Sequence, residues 1–120
     1  HIFTALLLNR EMQRPVPSGD ILNHGHGVIQ HYETAVKWFT LAAEQGNAKA
    51  QSSLGQMYRN GQGVIQDDIY AHMWANIASS DGWENGRKLR DEIAKGMTPS
   101  QLEKAQDLAR ACVAKEYKGC

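Results

Sequence analysis

The sequence predicts an all-α protein: a solenoid of stacked antiparallel helix pairs, ended by a long C-terminal helix. Three observations carry that prediction. The chain repeats itself with a period of 36 residues, its apolar residues recur at three- and four-residue spacing, and glycine clusters punctuate the apolar runs. Shifting the chain by 36 places Gly25, Gly27, Val28, Ile29 and Gln30 on Gly61, Gly63, Val64, Ile65 and Gln66. The match continues with Gly19 on Gly55, Ala35 on Ala71, Trp38 on Trp74, Ala42 on Ala78 and Gly46 on Gly82, ten identities over 28 paired positions. The 120 residues suit one domain, read as a degenerate segment (1–24), recognisable repeats (25–82) and C-terminal capping helices (83–120).

Each element has its own local reason. An apolar stretch at the start predicts a helix over roughly residues 2–13, while Pro15 and Pro17 break the helix that the repeat would place next. Ile2 to Leu8 follows no basic region and precedes no small-residue cleavage site, so it reads as an amphipathic helix and not a signal peptide. A helix is expected over Tyr32 to Gln45, ending at Gly46, and another over Ala48 to Asn60, where Ala50, Leu54, Met57 and Tyr58 share a face. Gly61 stops that helix, because glycine takes the left-handed conformation that closes a C-terminus. Asp67 or Asp68 caps the next helix, whose Tyr70, Trp74, Ile77 and Ala78 again share a face. Trp83 to Gly96 fills the place of a further first helix, although few repeat residues survive in it. Thr98, Pro99 and Gln101 then form a helix start with a capping box. The final helix is expected to run to about Lys118, with Leu102, Ala105, Leu108, Ala109, Cys112 and Val113 on its apolar side.

Composition narrows the function. Thirteen basic and thirteen acidic residues give a formal net charge of zero, which removes the usual argument for a nucleic-acid partner. No apolar run approaches the ~20 residues of a membrane span, so a soluble domain is expected with its compartment open. Residues 31–85 carry 3 basic and 6 acidic side chains, and residues 86–118 carry 8 and 5. Arg87, Lys88, Arg90 and Lys95 make a basic patch that either meets an acidic partner or is an ordinary solvated helix face.

The pattern Ala48-x-Ala50-Gln51-x-x-Leu54-Gly55-x-x-Tyr58-x-Asn60-Gly61-x-Gly63-Val64-x-Gln66-Asp67, followed by Ala71-x-x-Trp74-x-x-x-Ala78, resembles the Sel-one-like repeat of the tetratricopeptide superfamily. Ala35-x-x-Trp38-x-x-x-Ala42-Ala43-x-x-Gly46 is similar to the second half of the preceding unit, and Met97-Thr98-Pro99 with its Ala-rich helix is similar to a terminal cap. The resemblance implies a non-catalytic adaptor that binds a protein or peptide on a concave face lined by the first helix of each unit, here Ala48 to Asn60. The non-core side of that helix carries Lys49, Ser52, Gln56 and Arg59 in one stripe. Lys49 and Arg59 suit a carboxylate or acidic segment, and Ser52 and Gln56 suit a peptide backbone. The competing reading is a plain solvated face.

Other constellations favour structure over chemistry. His24, His26 and His31 lie close together, but His24 and His26 fall at inter-helix turn positions and no clean ligand set surrounds them, so no metal is expected. The turns Gly25-His26-Gly27 and Gly61-Gln62-Gly63 follow helices and lack the Lys of a phosphate loop. No catalytic signature is present and no cofactor is expected; a His- or Cys-based enzyme is the third and weakest reading. Cys112 reads as a buried thiol. Cys120 lies eight residues on, ~12 Å away in a continuous helix and beyond the ~7 Å limit for a disulfide. A bond between them requires the chain to fold back at Gly119. A cysteine-rich secreted branch of the family spaces cysteines similarly, each pair tying two helices of one hairpin. No second helix follows here, so an unpaired Cys120, open to an intermolecular bridge, is the expectation. The alternative to a binding module is a self-associating one, a homodimer formed through Leu6, Leu7 and Leu8 of the N-terminal helix.

Overall fold

The structure is a computed structural model that describes the backbone from residue 26 and side chains from residue 31 to the C-terminus. The described residues form five helices and no strand: α1 (His26–Glu44), α2 (Ala48–Asn60), α3 (Asp68–Ser80), α4 (Glu84–Ala94) and α5 (Pro99–Ala114). The expected helix over residues 2–13, its Leu6–Leu8 dimer face, His24 and the degenerate segment 1–24 lie outside the described residues.

The 36-residue period reappears as repeated backbone geometry. α1 ends with Gly46 at φ +86°, the Gly46 N–H donating to Ala43 O and the Asn47 N–H to Ala42 O. One period later Gly82 has φ +88°, and its N–H donates to Ser79 O while the Trp83 N–H donates to Ala78 O. This is one C-terminal capping motif used twice. The helix starts differ. Asn47 caps α2 through Oδ1 at 2.9 Å from Ala50 N, whereas Trp83, its counterpart before α4, makes no side-chain cap. Asp67, not Asp68, caps α3, its Oδ1 accepting from Ile69 N and Tyr70 N. Thr98 and Gln101 form the expected capping box at α5.

Packing follows from small residues at the crossings. A Cβ at Gly55 would stand 3.0 Å from Ala71 O, so α2 and α3 approach closely where neither presents a large side chain. Leu89 closes on this crossing and clusters with Ala71, Ala75 and Ile93. The larger core lies beside it, where Leu54, Met57, Met73, Trp74 and Ile77 pack with Ala35, Phe39, Ala43, Ala109 and Cys112. Trp38 and Tyr58 are half-buried against that core, Tyr58 stacking on Tyr70 at 5.6 Å, and Ala71 and Ala78 are fully buried. Burying each large apolar side chain contributes about 1.5–3 kcal/mol, which is what holds helices too short to persist alone. Contacts run α1 to α2, α2 to α3, α3 to α4 and α3 to α5, and α2 also touches α4. Thus α2 and α4 form one layer, with α3 and α5 behind it.

Four expectations are corrected. α1 begins at His26, so His26 and Gly27 lie in its first turn and not in an inter-helix turn. α5 ends at Ala114, short of Lys118, because Lys115 leaves the helix and Glu116 and Tyr117 turn to φ +55° and +68°. Val113 points outward, 48% exposed. Most substantially, Cys112 and Cys120 are bonded to each other with Cα atoms 5.6 Å apart, so Cys112 is no free thiol and Cys120 is not open to a second chain. The ~12 Å separation holds only for a continuous helix. The reversal at Glu116, Tyr117 and Gly119 supplies the fold-back that the bond requires.

Candidate functional site

Side by side, α2 and α4 leave a cleft lined by Lys49, Ser52, Ser53, Gln56, Trp83, Asn85 and Leu89. Three of the four residues expected from the sequence line it. Lys49 and Gln56 are exposed, and Ser52 is buried to 9% exposure at the base of the stripe. Arg59 stands apart, half-buried and one turn further along, in the field of Glu92. The Glu92 carboxyl is held below its ordinary range by Lys95 first and by Arg59 more weakly.

Trp83, Asn85 and Leu89 escaped the sequence reading, as did Ser53. The signal was available in the period. Adding 36 to Asn47, Lys49 and Ser53 gives Trp83, Asn85 and Leu89, so α4 presents the same surface as α2 with different chemistry. Its lack of repeat identities hid that correspondence. Trp83 stands at the N-cap of α4 without a side-chain cap bond, and its indole lines the cleft floor.

Among the described residues, the side chains of Lys49, Ser52, Gln56 and Asn85 make no hydrogen bond or ion pair. Ser53 differs, its hydroxyl donating to Lys49 O at 2.9 Å. The cleft therefore offers one cation, one hydroxyl and two amides around an apolar floor of Trp83 and Leu89. Its volume of about 280 Å³ lies below the usual range for cofactor pockets and suits one or two side chains of a larger partner.

The proposed basic patch does not stand as free charge. Arg87 pairs with Glu84 and Asp91, Arg90 with Asp91 and with the side chains of Asn76 and Ser79, and Lys95 with Glu92. Lys88 alone of the four makes no ion pair among the described residues. No group of three metal-ligating side chains comes together among the described residues, and His31 is exposed on α1. Among the described residues, two buried polar atoms lack partners, Gln51 Oε1 and His72 Nδ1, both away from the cleft lining. Burial, and then Arg90, lowers the His72 pKa, with Asp91 opposing.

A model of the Sel1 repeat matches residues 19–47 and 48–83, more than half of the chain. This chain belongs to the Sel1 repeat family. Sel1 repeats form tetratricopeptide-like helical solenoids that typically serve as non-catalytic scaffolds and mediate protein–protein interaction. Chitin synthase regulatory factor 3 of Schizosaccharomyces pombe is 36% identical over 78 residues, covering 64% of this chain and 8% of that protein. The alginate biosynthesis protein AlgK of Azotobacter vinelandii is 27% identical over 93 residues, 78% of this chain and 20% of its own length. The crystal structure of c5321, a protective antigen of uropathogenic Escherichia coli displaying an SLR fold, superposes with a TM-score of 0.68 at 32% identity, over 82% of this chain and 22% of that one. The chain thus spans a fifth or less of chitin synthase regulatory factor 3 and AlgK, and 22% of the c5321 chain. Within the described residues, no helix is long and apolar enough to cross a membrane.

Proposed function

We propose that this Sel1 repeat chain is a non-catalytic binding module that takes an extended segment of a protein partner in the cleft between α2 and α4. The observation that supports the reading is the set of unpartnered polar ends of Lys49, Ser52, Gln56 and Asn85 arranged around Trp83 and Leu89. Polar groups with no internal use beside an apolar floor match the anatomy of a recognition groove. Lys49 meets a carboxylate, the hydroxyl and amides bond a peptide backbone, and Trp83 with Leu89 receives an apolar side chain. Arg59, one turn beyond the cleft, contributes at the rim.

Site-specific photo-crosslinking tests this. A benzophenone side chain at Gln56 or Asn85 is expected to capture a partner segment, with the same probe at Gln106 on α5 as control. Lys49→Glu with Trp83→Ala is expected to weaken the captured complex by at least about tenfold in Kd, since two central contacts are lost. Equal capture at Gln106, or unchanged affinity of a variant that remains folded by circular dichroism, refutes the cleft as the binding face.

A further inference from the structure

The C-terminal tail reaches back across most of the described chain. After α5 the Tyr117 N–H donates to Cys112 O at 2.9 Å, and the segment turns through two left-handed residues, Glu116 and Tyr117. It closes on the Cys112–Cys120 bond. The reversal delivers three groups to distant helix ends. Lys118 Nζ donates to Glu44 O at 3.0 Å, the Gly119 N–H to Glu44 Oε2 at 3.3 Å, and the Tyr117 hydroxyl to Asp81 Oδ1 at 3.4 Å. Glu44 is the last residue of α1, and Asp81 is the C-cap of α3. The Tyr117 ring also lies over the α1–α2 turn, 3.5 Å from the position a Cβ would take at Gly46.

We propose that residues 115–120 form a thiol-releasable clasp that fixes the end of α1 and the α1–α2 turn to the end of the helix stack. α1 has no basic residue in its own last turn, so Lys118, from 74 residues away, supplies the cation that its C-terminal carbonyls favour. Consecutive left-handed residues other than glycine persist only where their surroundings over-determine them, and the cysteine bond is that constraint. Tyr117 packs part-buried against the core, but the tail's hydrogen bonds to α1 and α3 lie at the surface, where single hydrogen bonds compete with water and hold a free chain end poorly. Direct packing of α1 runs chiefly to α2, so the tail's bonds to Glu44 add a second tie, from beyond α5, at its C-terminal end.

The two sulfurs are unequal, which sets the route of release. Cys112 is 1% exposed, while Cys120 is partly exposed. A thiolate of a dithiol reductant attacks Cys120 Sγ and forms a mixed disulfide, and Cys112 leaves as a thiolate that takes a proton. The second thiol of the reductant then closes the reductant's own disulfide and expels Cys120 as a thiol. Two electrons pass from the reductant to the protein, leaving two cysteine thiols and one oxidised reductant. The inference rests on the tail geometry and not on the partner cleft.

Hydrogen–deuterium exchange on the full chain, with and without dithiothreitol, tests it. Reduction is expected to speed exchange by about tenfold or more at residues 41–46 and 115–120, while the α3 and α4 amides keep their protection. Cys120→Ser is expected to match the reduced protein and to ignore dithiothreitol. Lys118→Ala is expected to loosen residues 41–46 with the bond intact. Release of 115–120 without any change at 41–46 overturns the proposal. So does loosening of every helix together, which marks a global staple, and so does a Cys120→Ser variant that exchanges like the oxidised protein. Two titratable thiols in air-oxidised protein, unfolded without reductant, overturn it as well.

Discussion

At Gly63 the backbone comes so close to α1 that an added Cβ would stand 2.6 Å from Tyr32 O. Gly82 has a similarly left-handed φ, +88° against +74°, but open space around it. Alanine at Gly82 therefore meets only the backbone penalty, roughly 1–2 kcal/mol. Gly63→Ala meets that penalty and the collision, and is expected to lose more stability in urea unfolding; equal losses would deny the close contact any weight. His72 gives a second residue-scale expectation. Burial lowers its folded pKa below the unfolded value near 6.5, so the neutral ring is favoured in the fold. Its contribution is fully present above about pH 6.5 and declines as pH falls through the unfolded pKa toward the folded one, where the unfolded chain binds the proton more readily. Urea midpoints between about pH 7 and pH 5 are expected to fall more steeply for the wild type than for His72→Gln. The glycines were legible from the sequence because turns repeat at a fixed spacing. The His72 environment was not, because Arg90 and Asp91 reach it from another helix.

Helix ends show where local sequence decides and where it only narrows the choice. The start of α5 was readable in full, since Thr98, Pro99 and Gln101 interact only with their own first turn. At α3 two aspartates were equivalent on paper, and only the backbone direction separates them. Asp67 accepts from two amides, while Asp68 accepts from the side chain of Gln66. Asp67→Ala is accordingly expected to cost about 1 kcal/mol in denaturant unfolding, and Asp68→Ala clearly less. A larger loss at Asp68 would reverse the assignment. On α4 the sequence displayed its cations but not their partners. Arg87 lies within one helical turn of both Glu84 and Asp91, so the apparent basic patch is mostly internal ion pairing along a single helix. The cleft was half legible for a related reason. Its α2 wall lies on a helix marked by the repeat residues Leu54, Gly55 and Tyr58, and its α4 wall keeps only the spacing.

At the scale of the molecule, a 36-residue period is enough to specify a stack, because units of that size cannot bury their faces alone. It cannot specify how the last unit ends, and the tail is where the sequence reading failed. A stack whose units touch only their neighbours behaves nearly as a one-dimensional chain and frays from either end independently. The Lys118–Glu44 and Gly119–Glu44 contacts remove that independence by joining helices that the linear order keeps apart. Oxidised protein is therefore expected to unfold in one urea transition with coincident fluorescence and circular dichroism. Reduced protein is expected to show a broader transition of lower apparent m-value as α1 melts first. Identical m-values in the two states would mean that the tail carries no cooperativity. Residues otherwise suited to an open ladder are bent by six C-terminal residues into a loop of mutual dependence, in which neither α1 nor the tail melts without weakening the other.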